Sequence, residues 1–77
     1  MPDLDELVSS QPRTRGALQV RRRTWHGDDR VDLRAWYLDA ETGELKPGKG
    51  VIIKPAELRE TIAALIKIAE AFETEKA

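Results

Sequence analysis

The sequence predicts an α+β domain in which four strands precede a single C-terminal helix (ββββα). Three observations carry that expectation. Residues 18–25 and 30–38 alternate apolar with charged or polar side chains, a glycine-bearing turn separates the two stretches, and an apolar stripe at helical spacing runs over residues 58–72. Side chains on a strand point alternately to its two faces, whereas a helix returns to the same face every three or four residues, so the two patterns are separable by eye.

The first strand is expected at about residues 18–25. Leu18, Val20 and Thr24 fall on one face, with Arg22 interrupting it, and Arg21, Arg23 and Trp25 fall on the other. His26-Gly27-Asp28-Asp29 reads as a hairpin connection, with Gly27 able to take a positive φ. The second strand, about residues 30–38, places Val31, Leu33 and Ala35 opposite Asp32, Arg34 and Trp36. A turn over residues 39–43 leads to a short third strand near residues 44–46. Pro47-Gly48-Lys49-Gly50 reads as a second glycine turn, and Val51-Ile52-Ile53 as a fourth strand covered on both faces. Pro55 suits the first position of the helix, and Glu57 and Glu60 suit the positive end of its dipole. Lys54 is a poor N-cap, so packing rather than capping is expected to hold the helix start. Leu58, Ile62, Leu65, Ile66, Ala69 and Phe72 form a stripe wider than one small sheet needs, which points to helix–helix contact in a homodimer.

Composition narrows the function classes. Seventy-seven residues make one small domain, whose buried share is only about 60% of the unfolded surface. Without cysteine there is no disulfide staple, and one histidine cannot build a structural zinc site. No run is long and apolar enough to span a membrane, and the acidic first ten residues do not read as a signal peptide. The expected location is cytoplasmic, nucleoid-associated in a bacterium or nuclear in a eukaryote. Net charge is only −1, yet it is segregated: residues 1–12 carry three acids and no base, residues 13–34 carry seven arginines against three aspartates, and residues 55–77 carry five glutamates against three bases. Segregation of this kind gives a basic face to a nearly neutral protein. Residues 1–16 are expected to be a flexible arm whose acidic part competes for that face, with the folded domain at residues 17–77.

Candidate chemistry is confined to binding. A lone histidine in a turn supports neither a Ser-His-Asp triad nor a metal cluster, and no glycine segment matches a phosphate-loop or dinucleotide fingerprint. No cofactor, metal or catalytic set is expected. Arginine and lysine neutralise phosphates, and aromatic faces stack on unpaired bases. Of the four aromatics, Trp36 and Phe72 are assigned to packing, while Trp25 and Tyr37 stand open between packing and stacking.

Trp25-His26-Gly27, the run from Val31 to Asp39, the run from Gly43 to Gly50 and the helix-opening Pro55 together resemble the C-terminal domain of the positive cofactor 4 transcriptional coactivator family. The likeness extends over about residues 20–71 and is closest to compact, bacterial-type members. It implies a curved antiparallel sheet, dimerisation through the helices, and binding of single-stranded DNA largely without sequence preference. It also implies base stacking at Trp25 and Tyr37, and basic contacts at Arg21, Arg23, Arg34, Lys46 and Lys49, with His26 beside them in the first turn. Where family members carry lysines in that turn, this chain has His26, Asp28 and Asp29. Grouping Tyr37 with Arg34 requires a bulge in the second strand, because the two positions differ by an odd number. The alternatives are a single-stranded RNA binder, or a module that docks an acidic protein of the transcription machinery.

Overall fold

The computed structural model describes residues 3–76. Four antiparallel strands, β1 (Asp5–Arg13), β2 (Gly16–Trp25), β3 (Asp28–Leu38) and β4 (Leu45–Ile53), lie in one sheet in the order β1-β2-β3-β4, and α1 (Pro55–Lys76) follows. The ββββα architecture is therefore as expected, but two of the four strands differ in extent. Residues 5–13, read as part of a flexible arm, form β1. Its exposed side chains carry no apolar alternation to announce a strand; backbone pairing with β2 places it, helped by side-chain contacts such as Asp5 with Arg21. The two short segments read as third and fourth strands are one strand, β4. Pro47-Gly48-Lys49-Gly50 is not a turn but a bulge inside it: Arg34 pairs with Gly50 and Trp36 with Pro47, so Gly48 and Lys49 together face Ala35. A proline and two glycines are tolerated there because β4 is an edge strand.

The β2–β3 ladder is uninterrupted from Gly16 opposite Tyr37 to Trp25 opposite Asp28. His26 (φ 49°) and Gly27 (φ 83°) close it as a two-residue turn with both central residues left-handed, the geometry that matches strand twist. At the other end, Asp39 accepts the backbone N–H groups of Glu41 and Thr42 and holds the β3–β4 connection. The helix start is not left to packing: Glu57 Oε1 accepts the Lys54 N–H at 3.0 Å, and the Glu57 N–H donates to the Lys54 carbonyl at 2.9 Å. A glutamate at this position thus supplies half of a capping box despite the poor cap residue.

One sheet face is apolar, with Val20, Val31, Leu33 and Ile53, and α1 approaches it mainly along β3. Between them lies an open cleft of about 560 Å³ lined by Val8, Val20, Leu33, Ile53, Leu58 and Ile62 among others. No residue of α1 is buried. The chain exposes 6607 Å², against about 4,700 Å² for a compact monomer of its mass. Its radius of gyration is 15.0 Å, against about 11.5 Å for a compact chain of this length. No helix is long and apolar enough to cross a membrane among the described residues.

Gly16 packs its Cα against the Trp36 carbonyl so closely that an added Cβ would overlap that oxygen. Gly16→Ala is expected to lower stability by about 1–3 kcal/mol in urea denaturation, the range for forced overpacking; an unchanged midpoint would show that the β2–β3 ladder is not held at that distance.

Candidate nucleic-acid interface

Strand alternation assembles the second sheet face from Arg21, Arg23 and Trp25 of β2 and from Arg30, Asp32, Arg34 and Trp36 of β3. Asp32 is its centre. Only 2% exposed, it accepts Arg23 Nη1 at 3.0 Å and Arg34 Nε at 3.1 Å. A buried carboxylate is tolerated only when paired and hydrogen-bonded, and here one guanidinium from each of two neighbouring strands does both. Arg34 also donates through Nη1 to the Gly48 carbonyl at 2.8 Å, which ties β3 to the β4 bulge.

Arg21 lies over the Trp36 ring with its guanidinium carbon 4.9 Å from the ring centroid, a cation–π arrangement. It donates to Gln19 Oε1 through Nε and Nη2, and to Asp5 Oδ1 through Nη1 at 3.2 Å. Asp5 Oδ2 also lies 3.9 Å from Arg23 Nη2. The acidic start of the chain therefore does meet the basic face, as a paired strand rather than a loose arm. Asp3 extends this edge by accepting the His26 N–H.

The structure brings Arg21, Arg23, Arg34 and Trp25 onto one face. Trp25 is 54% exposed, with the His26 ring set edge-on 4.7 Å from it. Tyr37 is not grouped with them. The bulge its placement required in β3 is absent; the irregularity lies in β4, so Trp36 shares the face of Arg34 and Tyr37 lies on the opposite side of the strand. Tyr37 is half-exposed and sits opposite Lys46. From Trp25, opposite Asp28, to Tyr37 is nine residues along β3, about 30 Å. Lys49 is exposed within the bulge, and Lys46 is held on Asp39 at 2.7 Å. Trp36, assigned to packing, is partly buried with its Nε1 unpaired, and Phe72 is 60% exposed.

Sequence reasoning missed the carboxylates. Asp5 and Asp32 hold three of the four arginines of the face, and the shared parity of Asp32 and Arg34 along β3 was the available signal. Among the described residues no three His, Cys, Asp or Glu side chains converge on a possible metal position. What the face offers is fixed guanidinium groups and exposed indole surface.

A family model described as Transcriptional Coactivator p15 (PC4) matches residues 14–68, more than two-thirds of the chain. Comparison with curated proteins gives no match, nor does comparison with solved structures.

At the far end of β3, the Lys46 ammonium and then the N–H groups of Glu41 and Thr42 hold the Asp39 carboxyl below its ordinary value of 3.8. A carboxylate whose pKa is lowered by folding contributes stability that is present above 3.8 and is lost as the pH falls through the lower folded value. A carboxyl-detected NMR titration is expected to place the Asp39 midpoint below that of an unfolded chain, and Lys46→Met to move it upward. An unmoved midpoint in the variant would mean that Lys46 does not hold Asp39 in solution.

Proposed function

The chain belongs to the transcriptional coactivator p15 (PC4) family, and from that premise we propose that it is a homodimeric, nonenzymatic protein that binds single-stranded DNA largely without regard to sequence. The observation that carries this reading is the alignment of Trp25, Arg23 and Arg21 on one sheet face beside Arg34 and Trp36. Guanidinium groups fixed by Asp32 present their remaining donors to phosphates, and exposed indole takes an unpaired base. Duplex DNA keeps its base faces stacked inside, so an aromatic contact of this kind favours single or melted strands. Lys49, in the β4 bulge opposite Ala35, meets nucleotides several positions away from the one at Trp25; Tyr37, on the other side of β3, is not part of this face. Its place of action is the compartment that holds nucleic acid, the cytoplasm in a bacterium or the nucleus in a eukaryote.

The dimer is supported by the apolar surface that one chain leaves in water. Leu65, Ile66 and Phe72 are each more than half exposed, and Leu58, Ile62 and Ala69 continue the same stripe. The area in excess of a compact monomer, about 1,900 Å² by the comparison above, exceeds the share each partner contributes to a standard protein interface. A second copy covers both the stripe and the open cleft beside it.

Trp25→Ala is expected to weaken single-strand binding by about 1–3 kcal/mol, or 5- to 150-fold, with little effect on any weak duplex binding. Unchanged single-strand affinity would remove the stacking role and favour a sheet that docks an acidic protein. Ile62→Asp with Leu65→Asp is expected to shift the species in sedimentation equilibrium from dimer to monomer or to unfolded chain. A wild-type chain that sediments as a monomer at micromolar concentration would contradict the helix-mediated dimer.

A further inference from the structure

Four arginines stand on the proposed binding face, and three have carboxylate partners: Arg21 with Asp5, Arg23 with Asp32 and Asp5, and Arg34 with Asp32. Among the described residues Arg30 has neither an ion pair nor a side-chain hydrogen bond. It lies directly opposite Arg23 across the β2–β3 ladder. Like charges in that position repel; Arg23 is paired with Asp32 and Asp5, whereas no carboxylate lies within ion-pair distance of Arg30 among the described residues. Both arginines line a cleft of about 390 Å³ together with Trp25, Ile52, Asp3 and Asp5, a volume within the range of small-ligand sites. Trp25 and Ile52 give this cleft exposed apolar surface, at 54% and 38% exposure, while Arg30 gives it a cation without a direct ion-pair partner. The adjoining hairpin has no lysine, only His26, Asp28 and Asp29.

We propose that Arg30 is the phosphate anchor of a one-nucleotide subsite, in which a base lies against Trp25 and the adjoining phosphate bridges the cross-strand pair Arg30 and Arg23. The inference rests on the single-strand-binding reading and assigns its electrostatics at the hairpin end. The charge that the turn lacks is supplied three positions beyond Gly27, on the strand, where alternation turns it to the binding face. A phosphate between the two guanidiniums relieves their repulsion, so the contact gains from an arrangement that is unfavourable in the free protein.

The test is the salt dependence of affinity for a fluorescein-labelled mixed-sequence single strand, measured on the full chain, Arg30→Gln, Arg30→Lys and, as a control on the helix, Lys67→Gln. Arg30→Gln is expected to weaken binding about tenfold at low salt and to reduce the slope of log K against log salt by about 0.7, the loss of one phosphate contact on a single strand. Arg30→Lys is expected to keep the slope, and Lys67→Gln to match the wild type. An Arg30→Gln slope equal to wild type, with strong wild-type binding, overturns the anchor and leaves single-strand binding standing. A slope lost equally in Arg30→Lys also overturns it, because charge would not be the cause. No binding by the wild-type chain overturns both readings together.

Discussion

The apolar stripe of α1 and the apolar face of the sheet meet mainly along β3, and the area this leaves in water is the constraint on which the rest of the structure depends. Ala17 is the one buried hydrophobic residue among those described. The apolar share of the surface beyond that of a compact monomer represents hydrophobic free energy that a single chain leaves unrealised. The chain has no cysteine, so no disulfide substitutes for a core in a domain of this size. In the proposed dimer a second copy covers the helix side and relieves this deficit, and the opposite, charged face of each sheet stays open for another partner.

That charged face is less basic than a count of arginines indicates. Asp5 and Asp32 fix three guanidiniums in place and neutralise part of their charge. A fixed arginine loses less side-chain freedom on meeting a phosphate than a free one does, while partial neutralisation weakens long-range attraction to any polyanion. The combination suits a protein that holds exposed bases and phosphates at short range without coating duplex nucleic acid through charge alone. β1 has two roles in this: its backbone extends the sheet, and its first carboxylate completes the arginine network.

Much of this was legible in the sequence. Alternation over residues 18–25, despite Arg22, and over residues 30–38 placed both faces correctly, including Trp36 beside Arg34, and helical spacing placed α1 and its uncovered stripe. The strand at residues 5–13 was illegible because an edge strand exposed along its length needs no apolar alternation. The bulge at Gly48 and Lys49 was hidden because proline and glycine mark turns and bulges alike. Tyr37 shows how a resemblance and a parity argument can conflict: the likeness grouped it with Arg34, the alternation did not, and the uninterrupted β2–β3 register follows the alternation. The pairing of Asp32 with Arg34 was within reach of their shared parity, whereas its pairing with Arg23 was not, since it depends on which arginine a twisted sheet brings across to it.

The central claim is that the arginine and indole face selects unpaired strands. Fluorescence-anisotropy titration of one mixed-sequence DNA single strand, its duplex and the RNA of equal sequence, over a series of salt concentrations, tests it most directly. The account predicts binding to the single DNA strand that is tighter than to the duplex and weakens with salt. Equal affinity for strand and duplex would contradict the stacking face, a preference for RNA would reassign the ligand, and no binding to any of the three would move the search to an acidic protein partner.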